Sequence, residues 1–90
     1  MTSGPVGATR TSVNVTVRYW ASARAVAGRD SEHFAGLHVG DVLGAAAAAH
    51  TGLSVILGVS TILLDGRAVT ASEPLSEGAT LEVLPPFAGG

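Results

Sequence analysis

Residues 13–20 read Val-Asn-Val-Thr-Val-Arg-Tyr-Trp, and this alternation sets the architecture of the chain. The apolar positions of one face are Val13, Val15, Val17 and Tyr19. The positions of the other face are Asn14, Thr16, Arg18 and Trp20. Alternation with a period of two, carried by β-branched residues, predicts a strand with one buried face. Another layer of structure must therefore cover that face.

A helix over Val39–His50 supplies the covering layer. Its apolar residues recur at helical spacing and form one stripe: Val39, Val42, Leu43, Ala46 and Ala47. Asp41 falls in the first turn, where the helix dipole favours an acid. Gly52 follows the stripe, and we expect it to form a left-handed C-terminal cap.

The segments between these elements are less regular. Residues 21–28 are small and predict a loop, whereas Ser31–Leu37 predicts a second, poorly alternating strand. Leu53–Val59 is apolar and fits either a helix or a strand.

Two further strands are predicted near the C-terminus. Thr61–Leu64 is a buried strand, and Asp65-Gly66 after it predicts a hairpin turn that leads into a short return strand. Residues 79–84 form the last strand, which Pro85-Pro86 ends because proline cannot donate a backbone hydrogen bond. Strands gathered around one helix predict an α+β fold, with a mixed sheet packed on that helix.

Length and charge narrow the function classes. The 90 residues suffice for one domain, with a disordered leader over 1–11, the folded domain over 12–86 and a flexible tail over 87–90. The net charge is −2, from 5 arginines, no lysine and 7 acidic residues. This negative balance disfavours nucleic acid and anionic membranes as partners. Residues 42–64 are uncharged, but the turn at Thr51-Gly52 argues against a membrane span. We expect a cytoplasmic protein.

The residues do not assemble an enzyme active site. The chain has no cysteine, so it offers no thiolate nucleophile, persulfide or thiolate metal site. His33, His38 and His50 are spaced unlike the histidine pair of a zinc helix, and we expect them at the surface or at helix ends. No metal site and no stably bound cofactor are predicted.

The C-terminus is chemically distinctive. The sequence ends Leu84-Pro85-Pro86-Phe87-Ala88-Gly89-Gly90. Two glycines can enter a tunnel too narrow for side chains and present a carboxylate to another protein. That carboxylate, with a reference pKa of about 3.5, is ionised at neutral pH and can attack the α-phosphate of ATP.

These residues resemble the MoaD/ThiS family of ubiquitin-like sulfur carriers, and most closely its MoaD side. The similarity runs from Val13 to Gly90 and is carried by residues 15–21, 39–43, 74–78 and, most specifically, 84–90. It departs from the family pattern at His38, which replaces a Thr or Ser, and at Ala79, which replaces an Asp. The first departure implies a weaker or different helix cap.

The resemblance implies a β-grasp (ubiquitin-like) fold and a non-catalytic carrier subunit. A ubiquitin-activating-type enzyme would use ATP to adenylate Gly90, and a sulfurtransferase would convert the adenylate to a thiocarboxylate. The large, MoaE-like subunit of molybdopterin synthase would then receive the tail, so that sulfur passes to the molybdopterin precursor. The expected partner contacts are Leu84, Pro85, Pro86, Phe87, Ala88 and Gly89.

Three alternatives remain open at this stage. The same carrier chemistry could serve thiamine or cysteine biosynthesis. Gly90 could instead join a target lysine, as in a ubiquitin-like modifier. The chain could also be a β-grasp binding module with an inert tail.

Overall fold

The computed structural model describes residues 11–86. Along the chain the elements are β1 (Val13–Tyr19), α1 (Ala21–Ala27), β2 (Ser31–Gly36), α2 (Val39–Ala49), α3 (Leu53–Val59), β3 (Thr61–Leu64), β4 (Arg67–Ala68) and β5 (Thr80–Leu84). The predicted leader, except for Thr11, and the tail over 87–90 lie outside the described residues.

The strands form one mixed sheet in the order β2-β1-β5-β3-β4. β5 lies in the middle, parallel to β1 and antiparallel to β3. β1 is antiparallel to β2, and β3 to β4. A five-stranded mixed sheet with its main helix on one face is the β-grasp arrangement, so the predicted α+β class and fold are confirmed.

The core fills the space between the sheet and the helices. Its fully buried side chains alternate along the strands and follow one side of α2, and the largest are Leu53, Leu81, Val15, Val17, Val39, Val42 and Val83. The predicted stripe of α2 is confirmed at Val39, Val42 and Ala46. The two layers approach each other closely at Gly36, where an added Cβ would lie 2.9 Å from Val42 Cγ2.

The loop prediction for residues 21–28 is wrong, because Ala21–Ala27 is helical. Ala23 and Ala27, four positions apart, are buried against the core. Gly28 ends the helix with φ 74° and donates its N–H to the Arg24 carbonyl at 2.8 Å. Alanine favours helices strongly, but the buried stripe of α1 contains no large apolar residue, so the sequence shows no amphipathic pattern there.

Leu53–Val59 resolves to the helix α3. Its β-branched residues favour strands weakly, and tertiary packing of the fully buried Leu53 prevails. Gly52 is left-handed, with φ 90°, but it is the N-cap of α3 rather than the C-cap of α2, which is the extended His50. None of the helices in residues 11–86 is both long enough and apolar enough to cross a membrane.

The remaining local predictions are confirmed with one refinement. Asp65 and Gly66 both have positive φ, 48° and 86°, as a tight hairpin turn requires. At the start of α2 the Asp41 carboxylate accepts the backbone N–H groups of His38 and Leu37, at 2.9 and 3.1 Å. These two hydrogen bonds lower the pKa of Asp41. The helix cap is thus different from the usual one, as the departure at His38 implied.

A polar cluster of Tyr19, Glu32 and His50 ties β1 and β2 to the end of α2. Tyr19 donates its hydroxyl to Glu32 Oε1 at 2.8 Å, and His50 Nε2 lies 2.7 Å from the same oxygen. Burial raises the pKa of Glu32, but the hydrogen bonds from His50 and Tyr19 outweigh it, so this pKa lies below its ordinary value. Burial and the neighbouring carboxylate raise the pKa of Tyr19.

Truncation of a buried side chain on the central strand β5 should destabilise the whole domain. Leu81 is fully buried on β5, so Leu81→Ala should lower the free energy of unfolding by about 2–5 kcal/mol. Val55→Ala is the control, because Val55 is 75% exposed; its effect should stay within about 0.5 kcal/mol. Chemical denaturation measures both, and equal losses would contradict the assigned core.

The cluster of Tyr19, Glu32 and His50 also predicts how stability depends on pH: it should be constant around neutral pH and fall at both acidic and alkaline pH. Because the folded pKa of Glu32 is lowered, its contribution is present above the ordinary glutamate pKa of 4.5 and is lost as the pH falls below it. Because the folded pKa of Tyr19 is raised, its contribution is present below the ordinary value of 10.0 and is lost as the pH rises above it. Denaturation midpoints across pH should show both limbs.

Single variants assign each limb of this profile. Glu32→Gln should flatten the acid limb, and Tyr19→Phe should flatten the alkaline limb. Tyr19 is the only tyrosine, so tyrosinate absorption reports its ionisation directly. An unchanged alkaline limb in Tyr19→Phe would refute the assignment.

Candidate functional site

The root of the C-terminal tail is anchored by strand pairing on both sides. Val83 of β5 pairs with Tyr19 of β1, and Leu84 pairs with Thr61 of β3. Pro85 is buried, Leu84 is half-buried and Pro86 is exposed. The root of the tail, Pro85 and Pro86, is therefore held in a fixed position at the end of the central strand.

The structure describes some of the predicted site residues and not others. Of the expected partner contacts, Leu84 and Pro86 present surface, whereas Pro85 is buried within the domain. The predictions for Phe87, Ala88, Gly89 and Gly90 fall outside the described residues.

An aromatic and charged cluster lies beside the tail root, on the sheet face away from the helices. Trp20 donates its indole N–H to Glu82 Oε2 at 3.2 Å. The guanidinium carbon of Arg18 lies 5.1 Å from the centroid of the Trp20 ring, a cation–π distance. Arg18 and Glu82 are register partners on the parallel strands β1 and β5. These contacts hold the indole in place while it remains 36% exposed.

We use the name tail-root face for the surface formed by Trp20, Leu63, Leu84 and Pro86. Leu63 pairs with Glu82 and alternates with buried neighbours on β3, so it lies on the same side of the sheet as Trp20. Aromatic and aliphatic side chains that are exposed or half-buried beside the tail root suit contact with another protein.

Sequence reasoning missed Trp20 and Leu63 as members of this surface. A tryptophan on the polar face of an alternating strand was the available signal for Trp20. Leu63 gave no such signal, because its proximity to the tail depends on the pairing of β3 with β5.

The histidines lie away from the tail-root face or in structural roles. His33 is exposed on β2, His38 is the N-cap of α2, and His50 is its C-cap and bonds Glu32. Within residues 11–86, no three histidine or acidic side chains come close enough to hold a metal ion. The part of the chain that the structure describes also contains no pocket. What the geometry offers is a docking surface and a positioned exit for the tail.

Comparison with known protein families identifies the family of this chain. The sequence model of the ThiS family matches residues 17–90, which include both the core and the tail. The chain belongs to the ThiS family. The match spans β1 from Val17, all later elements and the Gly-Gly terminus, and it confirms the MoaD/ThiS resemblance.

Solved structures of other proteins support the ThiS assignment. The putative molybdopterin converting factor subunit 1 from Pyrococcus furiosus is 28% identical, with a TM-score of 0.75, over 83% of this chain and 99% of that one. Small archaeal modifier protein 1 from Haloferax volcanii is 27% identical, with a TM-score of 0.76, over 86% and 99%.

A complex of subunits 1 and 2 of molybdopterin-converting factor from Helicobacter pylori also matches. Its similar chain is 25% identical, with a TM-score of 0.66, over 87% of this chain and 100% of that one. The comparison with curated proteins gave no match. By family and fold, this ThiS protein is a ubiquitin-like sulfur carrier or modifier.

Within the tail-root face, we expect Trp20 to be the main contact for a protein partner. Trp20→Ala should weaken binding of a protein partner that contacts the tail-root face by about 2 kcal/mol, as removal of a central interface aromatic does. Titration of the carrier into a candidate adenylating enzyme measures this loss. Trp20 is the only tryptophan of the chain. Its fluorescence in the parent chain therefore reports docking to an enzyme that contains no tryptophan.

His33→Ala is the matched control for this experiment. His33 is exposed on the same face of the sheet, but it lies on the edge strand β2 opposite Thr16, away from the tail. Its removal should leave the affinity unchanged. A loss equal to that of Trp20→Ala would show that docking is not centred on the tail root.

Proposed function

We propose that this chain carries sulfur as a thiocarboxylate on Gly90 and serves as the small subunit of a molybdopterin synthase. The observation that carries the proposal is a Gly-Gly terminus that follows closely after the central, firmly anchored strand β5. Residues 85–90 follow directly after the central strand β5, which is hydrogen-bonded to a neighbouring strand on both edges. An exposed apolar surface surrounds that exit at Trp20 and Pro86.

The chemistry takes place on the terminal carboxylate. One oxygen of the Gly90 carboxylate attacks the α-phosphate of ATP on an adenylating enzyme, and pyrophosphate leaves. Hydrosulfide, or the terminal sulfur of a sulfurtransferase persulfide, then attacks the acyl carbon, and AMP leaves. Hydrosulfide gives the thiocarboxylate directly, whereas the persulfide gives an acyl disulfide, which a second thiol cleaves by forming a disulfide with the sulfurtransferase sulfur and releasing the thiocarboxylate. ATP is thus a substrate bound by the partner, and we propose no cofactor resident in this chain. Such ATP-dependent loading would take place in the cytoplasm.

Transfer to the pterin requires a second partner. The thiocarboxylate sulfur would be presented to an active site on a large, MoaE-like subunit, which would supply the acid and base groups. A similar chain from Helicobacter pylori is solved in complex with the second subunit of molybdopterin-converting factor, which supports a partner of this kind. The absence of cysteine leaves the terminal carboxyl as the position for transferable sulfur.

A modifier function is the second candidate. It is favoured by the 27% identity to small archaeal modifier protein 1 from Haloferax volcanii. In that case the activated Gly90 carbonyl would form an isopeptide bond with a lysine of a target protein. Thiamine and cysteine biosynthesis are alternative destinations for the same thiocarboxylate.

Intact-mass spectrometry tests the carrier proposal directly. The untagged chain, incubated with a candidate adenylating enzyme, ATP and a sulfur donor, should exchange one oxygen for sulfur, and the exchange should map to the terminal peptide. The loaded carrier, mixed with a candidate large subunit and the pterin precursor, should return to its original mass as molybdopterin forms. Conjugates that survive boiling in reductant would instead support the modifier function.

Variants of the tail provide the matched controls. One alanine appended after Gly90 should abolish loading because the reacting carboxylate is displaced, whereas one alanine inserted after Met1 should leave loading intact. Gly89→Val should slow transfer, because the side chain adds bulk and restricts the backbone. Full loading of the chain extended at its C-terminus would refute the terminal-carboxylate chemistry.

A further inference from the structure

The two edges of the sheet differ in how well they are protected against pairing with another chain. The edge strand β4 has only two residues, whereas β2 pairs with β1 in unbroken register over six residues, Ser31–Gly36. Edge strands commonly avoid further pairing through shortness, proline, lysine or a bulge. β2 has none of these features. Its one carboxylate, Glu32, is bonded to Tyr19 and His50 on the helix side of the sheet.

The free edge of β2 presents the backbone groups of Ser31, His33 and Ala35. Tyr19 donates its N–H to the Asp30 carbonyl at 2.8 Å, so Tyr19 and Asp30 are a hydrogen-bonded pair of the two strands. Along an antiparallel strand, backbone groups point alternately to one side and the other. The three odd-numbered residues of β2 therefore turn their N–H and C=O groups away from β1. All three residues are exposed, and no strand within residues 11–86 pairs with this edge.

The helix beside this edge leaves room for a second chain. α2 packs on β2 and on α3. After Asp41 in its first turn, the exposed residues of α2 are Gly44, Ala48 and Ala49, which carry small side chains or none. The distance between packed helices depends on the side chains at their contact, so small residues permit close approach. A chain that pairs with β2 can therefore also bring a helix against α2.

We use the name edge surface for the outward-facing residues of β2 together with the exposed small residues of α2: Ser31, His33, Ala35, Gly44, Ala48 and Ala49. The edge surface contains no carboxylate and no guanidinium. Arg29 and Asp30, which precede β2, form ion pairs within their own chain, with Glu32 and Arg24. Each chain has a net charge of −2, so two copies can meet at the edge surface without bringing like charges together.

We propose that two copies of this chain associate through the edge surface, with β2 of one copy antiparallel to β2 of the other. A two-fold interface uses the same surface on both subunits. An axis at His33 pairs this residue with its equivalent and pairs Ser31 of each copy with Ala35 of the other. This register uses all three outward-facing residues and provides up to about six backbone hydrogen bonds.

The dimer leaves both tail roots accessible. β1 separates β2 from β5 in each copy, so neither β5 strand lies at the interface. β5 is parallel to β1 and β1 is antiparallel to β2. The two β5 strands therefore run in opposite directions, and the two tail roots lie at opposite ends of one continuous sheet. The dimer presents two independent carriers, and its formation does not depend on the proposed function.

Single cysteine substitutions test the register, because the chain has no cysteine of its own. In the dimer, the Cα atoms at position 33 of the two copies lie about 5.5 Å apart, within reach of a disulfide. Those at position 35 are offset by about 14 Å along the strands. On mild oxidation, His33→Cys should form a disulfide-linked dimer at least about tenfold faster than Ala35→Cys. Equal rates, or no disulfide in folded His33→Cys, would overturn the proposal.

Sedimentation equilibrium of the untagged full chain measures the association without a cross-link. The average mass should rise reversibly toward that of two chains as the protein concentration approaches about 1 mM. His33→Pro removes an outward-facing N–H, which an edge strand tolerates because its pairing with β1 is kept. Loss of two backbone hydrogen bonds across the axis should raise the dissociation constant at least about tenfold. Ala48→Glu leaves β2 unchanged and should also weaken the dimer, because it places like charges on the facing helices.

Val55→Glu is the matched control, since it adds the same charge to the exposed side of α3, where Val55 is 75% exposed. This variant should dimerise like the parent chain. A parent chain that stays monomeric at about 1 mM would overturn the proposal. Loss of the dimer in Val55→Glu but not in Ala48→Glu would also overturn it and would place the interface on α3. Failure of Gly90 to be adenylated would instead overturn the proposed function and leave the dimer result unaffected.

Discussion

The central position of β5 is the constraint on which the molecule depends. This strand is hydrogen-bonded to β1 on one edge and β3 on the other, and its side chains Leu81 and Val83 are fully buried. Each buried side chain of this size contributes about 1.5–3 kcal/mol of hydrophobic stabilisation. Because β5 ends at Leu84, the same pairing that completes the core also fixes where the tail leaves it.

This coupling holds the root of the tail in a fixed position. Movement of the tail root would require β5 to lose backbone hydrogen bonds on two sides and to expose core residues. The burial of Pro85 extends the anchored segment past the last strand residue. The root of the tail is therefore held in place up to Pro85, which suits the proposed delivery of the terminus to the active sites of other proteins.

Two polar clusters lie on opposite sides of the sheet. On the helix side, Tyr19, Glu32 and His50 share one carboxylate oxygen and join two strands to the end of α2. On the opposite side of the sheet, the stack of Arg18 on Trp20 holds an exposed aromatic next to the exit. The first cluster contributes to the stability of the fold, and the second shapes the surface beside the tail root.

The sequence by itself determined the alternation of β1, the apolar stripe of α2, the turn at Asp65-Gly66 and the Gly-Gly terminus, because each depends on neighbouring residues along the chain. Only the tertiary structure decided that Leu53–Val59 is a helix and that Trp20 and Leu63 flank the tail root. Burial of Leu53 overrides a weak local preference. The surface at the tail root, in turn, exists because β1 and β3, far apart in sequence, both pair with β5.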